Sequence, residues 1–117
     1  MKYFTRSEFD SPDKKGSGEY MDCDFLEMID RARDIADIPM HITSGYRTKE
    51  HNEAVGGSKT SSHLNGFAAD IACNNSFDRE KMISAFVMAG FKRIGIAHNF
   101  IHVDNDMTKR NAIWLYS

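Results

Sequence analysis

The sequence predicts an α+β fold in one domain covering residues 1–117, on three observations. A chain of 117 residues has room for one core and little more. Two stretches repeat apolar side chains at helical spacing, while several shorter ones alternate apolar and polar residues as strands do. These segments follow one another without the regular strand–helix–strand rhythm of a doubly wound sheet.

The elements can be justified in chain order. "DSPDKKGSGE" (10–19) is polar and rich in Gly, Pro and Ser, so it reads as a loop. In "CDFLEMIDRARDIADIP", Phe25, Ile29, Ala32 and Ala36 fall on one helical stripe, widened by Leu26, Met28 and Ile35. Asp22 or Asp24 caps its start, and Pro39 forbids its continuation. "MHITSGYR" (40–47) reads as a short strand entering a turn at Gly45. "TKEHNEAVGG" is a short helix opened by Thr48 and closed by Gly56, and "GSKTSS" is a loop. "GFAADIA" is a strand with Phe67, Ala69 and Ile71 on one face and Ala68, Asp70 and Ala72 on the other. "SFDREKMISAFVMAGF" is a second amphipathic helix, capped by Ser76 and ended at Gly90. "KRIGIAHNFIHVD" is strand, turn and strand, and "AIWLY" is a final strand.

Composition narrows the function classes. Apolar content of 41% and charged content of 27% are those of a folded globular chain. A net charge of −2 offers no broad basic field for nucleic acid or an anionic membrane. No apolar run is long enough to span a bilayer. "MKYFTRSEFDSPDKKGSGEY" has no continuous apolar core of a signal peptide. The expectation is a monomer made in the cytoplasm, or one whose leader has been removed. Cys23 and Cys73 read as free thiols rather than a pair.

The segment "SSHLNGFAADI" (61–71) carries the chemistry. An aspartate at position 70, among small apolar residues of a strand, is a costly guest unless its charge is compensated. His63 precedes it by seven positions with Gly66 between them, and a turn at Gly66 folds the loop histidine back over the strand aspartate. Histidine and carboxylate are zinc ligands, and a catalytic zinc takes three protein ligands plus water. His102, between apolar residues in "FIHVD", is the third candidate. Each residue also has a plainer reading: a surface loop histidine, an ion-pair partner, a packed histidine bonded to a carbonyl. Spacing alone leaves both readings open.

"SGYR" (44–47), "SSHLNGFAADI" and "FIHVD" (100–104), in that order, resemble the zinc-dependent D-alanyl-D-alanine carboxypeptidase family. The similarity is closest to its small single-domain bacterial and phage members. The family pattern S-x-H-x-x-G-x-A-x-D is met by Ser61, His63, Gly66, Ala68 and Asp70, and "SEFDSPD", "AGFKRIGIA" and "IW" extend the resemblance over nearly the whole chain. It implies a compact domain with a small antiparallel sheet flanked by helices, as in hedgehog N-terminal domains. It also implies a Zn²⁺ held by His63, Asp70 and His102, and hydrolysis of peptide bonds in peptidoglycan stem peptides.

The resemblance further implies that Arg47 holds substrate. Its planar guanidinium suits a carboxylate; the alternative is a surface pair with Glu50. Ser61 matches the family's substrate-bonding serine, and Ser62 beside it can share that role. Tyr46 is either an oxyanion donor or a core residue. Many relatives carry a carboxylate three residues before the third ligand or a histidine two before it. Here those positions are Asn99 and Phe100, neither of which is a base. The remaining candidates are Asp104, which shares a strand face with His102, and His98 near the turn. Asp104 alternatively orients His102 from behind. His41 and His51 are read as surface or structural residues.

Missing the usual base, the chain is also compatible with a zinc-containing peptidoglycan-binding module, as hedgehog domains keep the site without the family reaction. A phage structural component is a third reading. Action on the cell wall requires a route outward, such as a holin, a tail injection device or a removed leader.

Overall fold

The computed structural model describes residues 1–117. Its first regular segments are 3₁₀ turns at Arg6–Phe9 and Ser17–Tyr20, the second lying partly in the segment expected as loop. Helix α1 spans Cys23–Ala36. Of its two candidate caps, Asp22 is the one used, its carboxylate accepting the Phe25 N–H at 2.9 Å. The helix stops at Ala36, before the proline, because Asp37 turns left-handed at φ 55°. Phe25, Ile29, Ala32 and Ala36 are buried as the stripe required, and Leu26 with them, but Met28 is only partly buried and Ile35, expected to widen the stripe, is exposed.

Strand β1 is Ile42–Ser44 and helix α2 is Lys49–Ala54, opened by the Thr48 hydroxyl accepting the His51 N–H. A 3₁₀ turn over Ser62–Asn65 leads to β2 at Ala68–Ala72. Helix α3 spans Ser76–Met88, and its cap is Asn75 rather than Ser76: the Asn75 side chain accepts the Asp78 N–H. Strands β3 (Arg93–Ile96), β4 (Phe100–Asp104) and β5 (Ala112–Leu115) complete the chain.

The five strands form one sheet in the order β1-β2-β4-β3-β5. Three neighbouring pairs are antiparallel, but β5 runs parallel to β3, so the sheet is mixed rather than wholly antiparallel. The reason is the connection through residues 105–111, which carries the chain past β4 and β3 to enter the far edge in the β3 direction. A strand that returns antiparallel to β4 has the direction of β3, so it is parallel to the strand it pairs with at that edge.

Period-two alternation then divides the sheet faces. Ala69, Ile71, Ile94, Ile101 and Val103 pack under α1 and α3, with Phe25, Phe86 and Phe91 filling the space between. The opposite face carries Asp70, Arg93, Gly95, His102, Asp104 and Trp114. Register aligns Asp70 with His102, His102 with Gly95, and Gly95 with Trp114, a row running across four strands. No helix is long and apolar enough to cross a membrane.

Candidate metal centre

His63, Asp70 and His102 converge from three elements, with one ligand atom of each lying within 4.8 Å of the others. Strand pairing supplies two of them, because Asp70 and His102 are direct partners on β2 and β4. The turn at Gly66 supplies the third. Gly66 has φ 74°, and a β carbon there would stand 2.4 Å from the Tyr20 carbonyl oxygen. Only glycine admits both the left-handed turn and that close approach. His63 is thereby brought over the aspartate as its place in the loop required.

The hydrogen bonds fix how each ring presents itself. His63 Nδ1 lies 2.7 Å from the Gly45 carbonyl oxygen. A carbonyl only accepts, so Nδ1 carries the proton and the Nε2 lone pair faces Asp70 Oδ1 at 3.4 Å. His102 is held the other way round: Nε2 lies 2.8 Å from Asp104 Oδ2, and Nδ1 lies 2.9 Å from Asp70 Oδ1. With Nε2–H donating to Asp104, Nδ1 turns its lone pair toward the same carboxylate. Two nitrogen lone pairs and a carboxylate oxygen repel one another unless a positive charge sits between them. A metal ion or a proton meets that need, so the donor set and its supporting bonds suit a zinc-type ligand shell.

Electrostatics agree with the geometry. Burial works to raise the Asp70 pKa, yet where a proton rather than a metal sits between the ligands, hydrogen bonds and charge from His102 and His63 override it and hold the carboxyl well below the usual carboxylate range. Burial likewise opposes charging of His102, but the bonds to Asp104 and Asp70 win and push its pKa up. The Asp70 contribution to stability is therefore present above its ordinary 3.8 and lost as pH falls below it. That of His102 is complete below its ordinary 6.5 and lost as pH rises through its raised value. Chelator-treated protein is expected to melt highest between these limits, with Tm declining on both sides. Saturating zinc should abolish the alkaline decline, because the metal replaces the proton between the ligands. Thermal melts across pH, with and without zinc, check this.

A cleft of about 310 Å³ opens over the group, lined also by Arg47, Ser61, Ser62, Arg93, Lys109 and an aromatic wall of Phe100, Trp114 and Tyr116. Arg47 points into it rather than toward Glu50. Its Nη2 lies 3.6 Å from Asp70 Oδ2, Nε donates to Ser44 Oγ at 3.2 Å, and Nη1 donates to Asn52 Oδ1 at 3.2 Å. Ser61 lines the cleft, its hydroxyl oxygen accepting the His63 N–H at 3.3 Å. Ser62 lines it too, but its hydroxyl is committed, donating to Asp106 Oδ2 at 2.7 Å. Tyr46 packs beside Tyr20 against the core and does not line the cleft.

The two candidate bases, Asp104 and His98, lie in different places. Asp104 does share the His102 face, but it stands behind the imidazole, on the ring nitrogen remote from Asp70. It is 1% exposed. Its oxygens accept from Arg93 Nε at 2.8 Å, His102 Nε2, and the Asp106 N–H at 3.1 Å. That is the placement of a residue orienting His102, not of one meeting a metal water. His98 is exposed in the β3–β4 turn, outside the cleft. His41 is also exposed, and the His51 backbone serves the first turn of α2.

Sequence reasoning missed the β5 wall and its supports. Arg93 lies over the Trp114 ring at 4.8 Å, and Trp114 stands 5.5 Å from the His102 ring. Lys109 donates to Thr60 O and Ser62 Oγ, tying the β4–β5 loop to the segment that carries His63. The alternation in "AIWLY" puts Trp114 and Tyr116 on one face, but only the register of β5 beside β3 shows which face it is.

A buried His–Asp–His group at the floor of a cleft, with an arginine at its edge, could hold a metal ion beside a substrate carboxylate. The family model for Peptidase M15 matches residues 2–104, and the chain belongs to that family, whose members are zinc-dependent. No curated protein matches the chain.

Proposed function

We propose that this chain is a zinc metallopeptidase that hydrolyses peptide bonds in peptidoglycan stem peptides, as a D-Ala-D-Ala carboxypeptidase or a murein endopeptidase. The observation that carries the reading is the placement of Arg47 beside the His63–Asp70–His102 group, a carboxylate-binding fork next to a metal-ligating set. Zinc bound there supplies a water acidified toward neutrality and a Lewis acid for the scissile carbonyl. His63 and Asp70 fix its position, and Asp104 holds the His102 tautomer that leaves Nδ1 free. Arg47 holds a substrate carboxylate, and Ser61 hydrogen-bonds the peptide beside it.

Arg47→Ala is expected to leave zinc content and Tm near wild type while cleavage falls by roughly 10²-fold, the effect of losing a positioning clamp. Arg47→Lys should recover only part of this, since an ammonium cannot reproduce the fork. Full activity in Arg47→Ala removes it from the site.

A second reading is favoured by one observation. No uncommitted carboxylate faces the metal side of the cleft, with Asn99 and Phe100 at the usual base positions and Asp104 turned away. A zinc-containing module that binds stem peptide without cutting it fits that feature. Mass spectrometry of purified muropeptides after incubation with zinc-loaded protein separates the two. Loss of a terminal alanine or release of a peptide fragment supports the enzyme. Binding with unchanged masses supports the module.

A further inference from the structure

Strand β5 lies beyond the residues that the peptidase family matches, yet Tyr116, the residue that follows it, lines the cleft of the candidate site. Gly95 is the partner of His102 on one side and of Trp114 on the other. Having no side chain, it lets the β5 aromatics lie across its backbone. A β carbon on Gly95 would meet Trp114 Cε2, Trp114 Nε1 and Tyr116 Cε2, each at 2.7 Å. Cε2 of a tyrosine adjoins the carbon that bears the hydroxyl. The hydroxyl end of Tyr116, not merely its ring, therefore reaches over the strand position next to His102. Phe100 packs on the Tyr116 ring at 5.2 Å and fixes it from the other side.

Most other polar groups in the cleft are already committed. Ser62 donates to Asp106, Lys109 to Thr60 and Ser62, and Arg93 to Asp104. Tyr116 makes no such hydrogen bond to the protein through its own proton, and the residue remains 44% exposed, open to a ligand in the cleft. Burial raises the phenol's pKa, against a hydrogen bond from Trp114, whose indole N–H can only donate, so the phenol proton is left for another acceptor. A phenol is protonated at neutral pH, and Tyr116 lines the same cleft as Arg47.

We propose that Tyr116 donates a hydrogen bond from its phenol to the carbonyl oxygen of the scissile peptide bond, and that this bond strengthens as the oxygen becomes an oxyanion. The role rests on the peptidase reading above. As water oxygen bonds to the carbonyl carbon, the π pair moves onto that oxygen, and the Tyr116 O–H donates to it without giving up its proton. When the C–N bond breaks, its pair leaves on the amine, which takes the proton shed by the attacking water through solvent in the open cleft. A donor aimed at developing charge acts on the transition state more than on bound substrate.

Tyr116→Phe tests this while preserving the ring and its packing. The expected result for zinc-loaded protein is a kcat lower by on the order of 10²-fold with KM little changed. Affinity for a phosphinate isostere of the scissile dipeptide, measured by calorimetry, should fall in the same direction, because its anionic oxygens imitate the tetrahedral centre. Zinc content should stay at the wild-type value. Equal kcat and equal phosphinate affinity in the two proteins would overturn the role, as would a raised KM with kcat unchanged. A wild-type chain that loads zinc but neither cleaves stem peptide nor binds the phosphinate would overturn the peptidase reading itself, and this role with it.

Discussion

Alanine in place of His63, Asp70 or His102 is expected to take zinc stoichiometry from about one per chain to near zero, and peptide hydrolysis to background. Three protein donors are the minimum that leave a catalytic zinc one open position, so loss of any one leaves an incomplete shell. The three variants should differ in their side effects. His63→Ala frees the Gly45 carbonyl that the imidazole now satisfies at 2.7 Å. Asp70→Ala removes the charge beside Arg47 and between two imidazoles, so the zinc-free variant should lose the acid-side stability edge of wild type. Metal analysis of the purified variants, with circular dichroism to verify folding, checks the assignment. Stoichiometric zinc in all three variants would show that the ion is held elsewhere.

Asp104 carries the second large effect. It is buried, paired with Arg93 at 2.8 Å and bonded to His102. Asp104→Ala leaves a largely buried guanidinium without its partner, a defect that typically costs about 3–5 kcal/mol against a total stability of about 5–15 kcal/mol. Arg93 keeps 15% side-chain exposure, so the lower end of that range is expected in urea denaturation. Asp104→Asn is gentler and more informative. It preserves shape but weakens the grip on the His102 tautomer, so zinc affinity should fall by about 10–100-fold. The acidic limb of the pH–rate profile should persist once zinc is saturating. A variant with wild-type zinc affinity and no acidic limb would restore Asp104 to the role of general base.

How much of this was legible in the sequence depended on what each feature needs. The α1 stripe of Phe25, Ile29, Ala32 and Ala36 and the facing of Asp70 away from Ile71 follow from period alone and hold in the fold, while Ile35, at the edge of that stripe, is exposed. The convergence of His63 on Asp70 followed from one glycine at the right place. The row Asp70–His102–Gly95–Trp114 was not legible, because it depends on β4 lying inside β3 and on β5 joining parallel at the edge. Nothing local in "AIWLY" specifies either. Asp104 shows a subtler limit. Strand alternation correctly put it on the His102 face, but alternation says nothing about which ring nitrogen faces which carboxylate. That choice is made by the Asp70 register and by Arg93 reaching across from β3.

The central claim, that His63, Asp70 and His102 hold a hydrolytic zinc, is tested most directly by X-ray absorption at the zinc edge on the loaded wild-type protein. The expected spectrum is that of a four-coordinate ion with two imidazole nitrogens and two oxygens, one carboxylate and one water, at about 2.0–2.2 Å, and no sulfur. A sulfur shell near about 2.3 Å, which only a cysteine thiolate such as Cys73 would supply, or a six-oxygen shell without imidazole, would contradict it.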